Sequence, residues 1–140
     1  MIRVLCRRPA DGAAAELAPA DVAGALADPR CLLWVDCLGE PDGSCEALFR
    51  DVFHFHPLAI DDAIQESHVP KVDDWGTYLY LVLHAVDFDP SADQPLVTHE
   101  LDVFLGPNYV VTHREDPIRG VERVRTTFER DGRTLEQGAA

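Results

Sequence analysis

The sequence lacks the local motifs that commonly mark an enzyme or a phosphate-binding protein. It has no Gly-x-Ser-x-Gly nucleophile motif, no His-Glu-x-x-His zinc motif and no glycine-rich phosphate loop. Its glycines are scattered, as at Gly39, Gly43 and Gly76. No class of enzyme is therefore indicated, and the charged and histidine side chains remain the candidates for function.

Positive charge is scarce in this chain of 140 residues. Twelve Lys and Arg stand against 25 Asp and Glu, which gives a formal net charge of −13. Proteins that bind nucleic acids neutralise phosphates with clustered basic side chains, so the composition argues against nucleic acid as a partner. An acidic surface attracts cations instead, although it also serves simply to keep a domain in solution.

Long hydrophobic runs are also missing. The longest apolar stretch covers Leu79–Leu83, whereas a membrane-spanning helix needs roughly 18 residues or more. The opening segment Met1–Cys6 is too short for a signal peptide. We therefore expect this stretch of chain to be unable to cross a membrane by itself.

Cysteine is present at four positions, but no two cysteines form a Cys-x-x-Cys pair. That absence excludes a zinc ribbon and a thioredoxin-like motif. Cys31 and Cys37 lie in or beside an apolar segment, where cysteine behaves as a small buried hydrophobic residue. All four cysteines, including Cys6 and Cys45, are predicted to be reduced thiols in a cytosolic protein.

Apolar runs separated by proline and glycine predict alternating strands and helices. The apolar run Leu32–Val35 is typical of a strand buried on both faces. Gly106-Pro107-Asn108 predicts a tight turn between two antiparallel strands. The fold class predicted for residues 1–140 is a single α/β/α sandwich, with a mixed parallel and antiparallel sheet covered by helices on both faces. The predicted strands are 2–6, 32–35, 71–73, 78–86, 97–105 and 109–112, and the predicted helices are 21–27, 41–53, 57–64 and 118–128. The last helix has an apolar stripe of Ile118, Val121, Val124 and Phe128 and is predicted to stop at Asp131-Gly132, and residues 89–93 are predicted to form a loop.

Three histidines lie on three of the later strands: His84, His99 and His113. If those strands align, the imidazoles would converge on zinc or another transition metal. His54 and His56 instead lie at a corner between two predicted helices. A structural role is the commoner one for such residues, and no zinc motif favours the alternative.

Close pairs of carboxylates recur along the chain, as at Asp61-Asp62 and Glu115-Asp116. Asp87 and Asp89 differ from the other pairs because they follow the strongest strand at positions i and i+2, which point to the same side. Two such charges about 4 Å apart repel by about 4 kcal/mol at an effective dielectric of 20, and a divalent cation would relieve that repulsion. On spacing alone, a solvated loop is the commoner interpretation.

Several segments together resemble one family. These segments are Trp34-Val35-Asp36, His56–Ala63, Pro70–Asp73, Tyr78–His84 and Glu100–Thr112. In this order they resemble the cytoplasmic domain of CorA-type magnesium and cobalt transporters, over about residues 30 to 130. Asp61 stands where that family more often has Glu, Val69 where it has Arg, and Trp75 near a usual Tyr.

The resemblance covers only the front part of such a transporter. The long stalk helix, both membrane helices and the Gly-Met-Asn signature are missing, so this stretch is not expected to conduct ions. The family implies a homo-pentamer whose cytoplasmic domains bind divalent cations between neighbours and thereby hold a closed state. By the resemblance, Asp89, or Asp87 in its place, would supply half of a weak regulatory Mg²⁺ or Co²⁺ site, and the stalk would supply the rest.

Two alternatives remain open at this stage. The histidines would suit a zinc-transporting branch of the same family. A free-standing adaptor or small enzyme on the same fold would need a pocket with convergent polar groups. Without the stalk and membrane parts, we expect a monomer or a weak dimer.

Overall fold

The computed structural model describes residues 1–8, 14–39, 43–65, 69–88, 90, 93 and 95–130. Seven strands and four α-helices are found there, together with one turn of 3₁₀ helix at Pro19–Asp21. The strands are β1 Ile2–Arg7, β2 Ala15–Leu17, β3 Leu32–Leu38, β4 Lys71–Asp74, β5 Leu79–Phe88, β6 Leu96–Leu105 and β7 Tyr109–Arg114. The helices are α1 Val22–Leu26, α2 Ser44–Asp51, α3 Pro57–Gln65 and α4 Arg119–Arg130.

All seven strands form one mixed sheet in the order β2-β1-β3-β7-β6-β5-β4. Strands β3 and β7 pair in parallel at the centre, and every other pairing in that sheet is antiparallel. The turn at 106–108 connects β6 to β7 as predicted, with Leu105 opposite Val110. A Cβ at Gly106 would lie 2.2 Å from the Tyr109 ring, which explains the glycine at this turn.

Helices cover both faces of the sheet, which confirms the predicted sandwich. On one face, α1, α2 and α3 enclose a large core that includes Phe49, Phe104 and Val111. On the other face, α4 lies over a small cluster of Leu5, Trp34 and Phe128. The strand alternation explains the division, since neighbouring residues such as Trp34 and Val35 point to opposite faces.

The element predictions were accurate except at some ends and for β2, Ala15–Leu17, which was not predicted. Helix α2 begins at Ser44 rather than at Pro41, and residues 40–42 lie outside the described residues. The predicted stop of α4 at Asp131-Gly132 and most of the loop at 89–93 also lie outside them. In α4, Phe128 is buried as predicted, whereas Val124 is 56% exposed. Val124 is exposed because α4 covers only part of its face of the sheet.

The prediction of four reduced cysteines is wrong for two of them. Cys6 in β1 and Cys31 just before β3 form a disulfide, with Cα atoms 6.2 Å apart. The antiparallel pairing of β1 with β3 brings these residues together, which no local spacing shows. Cys37 and Cys45 lie outside the disulfide and are buried. Contact with Cys45, together with burial, raises the pKa of the Cys37 thiol well above its ordinary value.

No helix among the described residues is both long and apolar enough to span a bilayer.

Candidate functional site

The candidate site lies where β5 ends, β6 begins and the chain leaves β7 for α4. Strands β5 and β6, each ten residues long, form an antiparallel hairpin. Ala85 lies opposite His99, and Asp87 lies opposite Val97. By strand alternation Asp87 and His99 both point to the face covered by α4. Asp116 follows β7, the other neighbour of β6. Three elements thus bring a carboxylate, an imidazole and a second carboxylate to one corner of the sheet.

His99 is placed between the two carboxylates. Its Nε2 lies 3.7 Å from Oδ2 of Asp87, and its Nδ1 lies 3.4 Å from Oδ2 of Asp116. The His99 side chain is only 15% exposed, whereas that of Asp116 is 68% exposed. Each ring nitrogen therefore faces its own acid, and the site is open to solvent on the Asp116 side.

Of the two predicted metal ligands, the structure describes one. Asp87 lies at the hairpin end as expected, half-buried beside His99. Asp89, the first of the two predicted ligands, with Asp87 as its substitute, lies outside the described residues. Within the described parts of the chain, no three His, Cys, Asp or Glu side chains come together around one point. Asp87 is thus at most part of a coordination sphere in this chain.

The three strand histidines do not converge, which excludes the predicted zinc alternative in that form. His84 points to the face opposite His99, where its Nε2 lies 3.7 Å from Glu100. His113 is buried on the face covered by α1–α3, with Nδ1 3.4 Å from Asp102. Adjacent strands carry these residues, but their positions alternate between the two faces of the sheet.

His113 and Asp102 form a buried polar group with Tyr80, whose hydroxyl donates to Asp102 at 2.7 Å. Burial raises the pKa of Asp102 above the ordinary aspartate value. Burial also opposes a charge on His113, but the hydrogen bond and charge of Asp102 outweigh it and raise the pKa of His113. These groups satisfy one another inside the core and present nothing to a ligand.

His54 and His56, at the corner between α2 and α3, have structural partners. Nδ1 of His54 lies 3.1 Å from the Arg50 carbonyl, and the His56 ring stacks on Trp75 with centroids 4.1 Å apart. The Leu58 amide donates to Nδ1 of His56, which satisfies a free donor at the start of α3. These contacts give the corner at His56 and Pro57 a structural role.

Lys71 accounts for two more of the predicted carboxylates. Its ammonium contacts Asp62 and lies 2.9 Å from Asp73. These two aspartates therefore share one ammonium partner at the edge strand β4.

A buried ionic cluster beneath α4 was not foreseen from the sequence. Asp36 in β3 accepts hydrogen bonds from Arg3 at 2.6 Å and from Arg114 at 2.8 Å, and Thr112 also donates to it at 2.7 Å. Glu122 of α4 accepts from Arg3 at 2.8 Å and from Arg114 at 2.7 Å. The four charged residues join β1, β3, β7 and α4, and we call them the α4 ion cluster.

The pKa values within the α4 ion cluster follow from this geometry. Hydrogen bonds from Arg3 and then Arg114 lower the pKa of Glu122 to about 2. Burial opposes ionisation of Asp36, yet the donors Arg114, Thr112 and Arg3 keep its pKa below the ordinary value. The cluster therefore stays ionised at neutral pH and holds the first turn of α4 against the sheet.

An apolar trough of about 700 Å³ lies between α4 and the uncovered part of the sheet. Its walls include Leu101, Val103 and Leu105 of β6 and Val121 and Val124 of α4. Among its described lining residues the polar ones are Asn108 and Thr112. Asn108 hydrogen-bonds backbone carbonyls and Thr112 is bound to Asp36, so no set of free polar groups converges there as an enzyme pocket requires.

The comparison with a curated relative covers a large part of this chain. The chain is 38% identical over 105 residues to YfjQ of Bacillus subtilis, which is described as a metal ion transporter. The match covers 75% of this chain but only 31% of the relative. The chain therefore spans about a third of the length of that protein.

Solved structures show the same fold at lower identity. The full-length CmaX protein superposes with a TM-score of 0.74 at 23% identity, over 93% of this chain and 38% of CmaX. The soluble domain of CorA from Methanocaldococcus jannaschii gives 0.61 at 17%, over 91% of this chain and 45% of that one. The ZntB cytoplasmic domain from Vibrio parahaemolyticus gives 0.66 at 12%, over 93% of this chain and 50% of that one.

The sequence profile described as "CorA-like Mg2+ transporter protein" matches residues 31–139. The matched range includes every strand from β3 to β7 and runs through α4. Because this profile covers well over half of the 140 residues, the chain belongs to the CorA-like Mg²⁺ transporter family.

Proposed function

We propose that this chain is the cytoplasmic, cation-sensing domain of a divalent metal ion transporter, with Mg²⁺ or Co²⁺ as the regulatory ion. The observation that carries the proposal is the position of Asp87, at an exposed end of the sheet with a second carboxylate, Asp116, on the far side of His99. Carboxylate oxygens are the ligands that Mg²⁺ uses in proteins, commonly with several waters retained.

The proposed site is a half-site. Asp87, with Asp89 as its companion by sequence, supplies one side, and a segment of the longer transporter supplies the other. A hydrated Mg²⁺ held by one or two carboxylates binds weakly. We therefore expect Mg²⁺ binding to the 140-residue chain to be of millimolar strength or weaker.

The regulatory step follows from differential binding. An ion held between neighbouring domains of a pentamer favours the arrangement in which both half-sites face each other. When the ion leaves, the carboxylates repel and that arrangement loses population, which opens the pore. The chain described here supplies the sensing surface and does not itself conduct ions.

The test is a titration of the 140-residue chain with Mg²⁺ and Co²⁺, followed by two-dimensional amide NMR. Shifts are expected at the end of β5 and the start of β6, and Asp87→Asn should abolish them. Asp61→Asn in α3 is the matched control, because Asp61 is an exposed aspartate in another acidic pair. Equal losses in the two variants would reduce the effect to general charge attraction and contradict the proposal.

A second candidate is transport of Zn²⁺ by the same family. The imidazole of His99 beside Asp87 favours it, since Zn²⁺ takes nitrogen ligands that Mg²⁺ avoids. The same titration with Zn²⁺ distinguishes the two, because Zn²⁺ binding that needs His99 and occurs without Mg²⁺ binding would favour zinc.

A further inference from the structure

We propose that the Cys6–Cys31 disulfide is a reversible redox switch that controls how firmly the β1–β2 edge of the sheet is held beneath α4. In the oxidised chain the bond keeps that edge closed. In the reduced chain the edge opens locally while the rest of the fold persists. The inference rests on the proposed function only for the cytoplasmic location of the chain, and it does not involve the cation site.

The disulfide joins two segments at one end of the sheet. Cys6 lies in β1, one residue before that strand ends, and Cys31 lies just before β3. Their Cα atoms are 6.2 Å apart, within the range that a disulfide spans. The bond closes a loop of 25 positions that contains β2 and α1. These elements have only three and five residues, so the bond restrains a segment with little regular structure of its own.

The edge near the bond is held by few backbone pairs. In the described part of the chain β2 pairs with β1 at three positions, whereas β5 pairs with β6 at ten. Short edge elements open more easily than central ones, and a cross-link raises the cost of opening by limiting chain entropy. Strand β1 also pairs with β3 at six positions. Opening after reduction therefore begins at β2 and the end of β1 rather than throughout β1.

Helix α4 packs in part on this edge. Leu5 of β1 contacts the small apolar cluster that includes Phe128 of α4. Glu16 of β2 lies 3.4 Å from Arg125 of α4. The first turn of α4 is held differently, through the α4 ion cluster, in which Arg114 comes from β7. Opening of the β1–β2 edge should therefore loosen the second half of α4 and leave its first turn in place.

The reductant that we propose is a small cytosolic monothiol such as glutathione. Disulfides in cytosolic proteins are usually transient and catalytic or redox-sensing, because cellular thiols keep that compartment reduced. The thiolate of one monothiol attacks a disulfide sulfur, the S–S bond breaks, and the released cysteine thiolate takes up a proton. A second monothiol attacks the resulting mixed disulfide, which releases the other cysteine as a thiol. Two electrons thus pass from two monothiols to the cysteine pair, and the monothiols leave as their own disulfide.

Burial of the two sulfur atoms determines when this exchange occurs. Cys6 is 1% exposed and Cys31 is 0% exposed. A monothiol cannot reach either sulfur in the closed fold, so reduction requires a local opening of the same edge. Reduction in turn makes that opening easier. The rate of reduction therefore reports how often the β1–β2 edge opens.

The experiment equilibrates the full 140-residue chain in glutathione buffers that range from mostly oxidised to mostly reduced. Labelling with N-ethylmaleimide in denaturant, followed by mass spectrometry, counts the thiols. The oxidised chain should take up two labels, at Cys37 and Cys45, and the reduced chain should take up four. Thermal melts should place the melting temperature of the reduced chain about 10 °C below that of the oxidised chain.

Hydrogen exchange of the backbone amides locates the change. In the reduced chain, exchange should rise at least about tenfold in β2, the end of β1 and the second half of α4, and less than about twofold in β5 and β6. A Cys6→Ala and Cys31→Ala double variant should match the reduced chain in every buffer. A Cys37→Ala and Cys45→Ala double variant should still respond to glutathione. The unaltered chain gives both states, so the test does not depend on the folding of either variant.

Three outcomes would overturn the switch. Two labels at every glutathione ratio would show a static disulfide, and four labels at every ratio would show that the pair is not oxidised. Hydrogen exchange that rises equally across the whole sheet would show general stabilisation rather than control of one edge. No divalent cation enters these measurements, so failure of the switch and failure of the proposed cation sensing are distinguishable.

Discussion

The two faces of the sheet are stabilised by different interactions. The face under α1, α2 and α3 carries a continuous aromatic core in which Phe55 stacks on Phe104 with centroids 4.1 Å apart. The face under α4 has a small apolar cluster, including Trp34 against Phe128 at 5.6 Å, next to the α4 ion cluster. The first face tolerates little change of volume, whereas the second depends on charges being paired.

The difference shows how one helix can be held on a wide sheet. Apolar burial needs area, and the apolar residues of α4 pack mainly on β1, β3 and β7, the neighbouring strands at the middle of the sheet. The ion cluster adds directional bonds from Glu122 to two arginines that rise from the sheet. These directional bonds therefore fix the position of α4 more than its apolar contact area does. Asp116 of the candidate site lies three residues before the first residue of α4.

The largest effect is expected from Phe104→Ala. Phe104 is fully buried and contacts the rings of Phe49, Phe55 and Tyr80. Its truncation should lower the free energy of unfolding by about 4 kcal/mol, since it removes a large apolar side chain and leaves a cavity. Urea denaturation followed by circular dichroism measures this.

Phe88→Ala is the control for that substitution. Phe88 lies in β5 of the same hairpin but is 59% exposed. Its truncation should cost under about 1 kcal/mol. Equal losses in the two variants would contradict the idea that the core on this face carries the stability.

A somewhat smaller effect is expected on the other face from Arg114→Met. Arg114 is fully buried, and its removal leaves Asp36 ionised and buried with fewer donors. Breaking a buried ion pair from one side should cost about 3 kcal/mol. Arg123→Met, an exposed arginine of α4, should change the free energy of unfolding by less than about 0.5 kcal/mol. A loss at Arg114 no larger than that at Arg123 would show that the cluster adds nothing to stability.

The contrast between the faces also explains what could be predicted from the sequence. The hairpin at 106–108 and the helix beginning at Pro57 depend on residues close together in the chain, and both were predicted. The bond from Arg3 to Glu122 joins residues 119 positions apart, and the Cys6–Cys31 disulfide depends on strand pairing. Such contacts require the strand order, and a single sequence does not supply the order in which distant strands pair.

One residue of the candidate site was singled out from the sequence, and its assignment as a metal ligand stays a prediction. Asp87 was identified because it follows the strongest strand, but His99 was grouped with His84 and His113. The register of the β5–β6 hairpin separates His84 from His99, because Ala85 lies opposite His99 and His84 lies opposite Glu100. The sequence alone did not supply that register. Asp116 had no signal beyond its pairing with Glu115, because the bend after β7 decides where it points.

The smallest and most specific effect is expected from Glu122→Gln, and it depends on pH. The pKa of Glu122 is lowered to about 2, by hydrogen bonds from Arg3 first and then Arg114. Because its pKa in the folded state lies below the unfolded-state value of about 4.3, ionised Glu122 stabilises the fold at pH values above 4.3. This stabilisation is lost as the pH falls toward 2.

The size of that effect follows from the exposure of Glu122. The shift alone corresponds to about 3 kcal/mol, but the Glu122 side chain is 37% exposed. Screening by solvent reduces the expected loss at pH 7 to about 1 kcal/mol. Stability of wild type and Glu122→Gln, measured by thermal melts from pH 7 to pH 2.5, should therefore converge in acid. Glu46→Gln, which disrupts an exposed pair with Arg50 on α2, should show no such convergence. A constant difference between Glu122→Gln and wild type at every pH would mean that Glu122 holds α4 by shape rather than by charge.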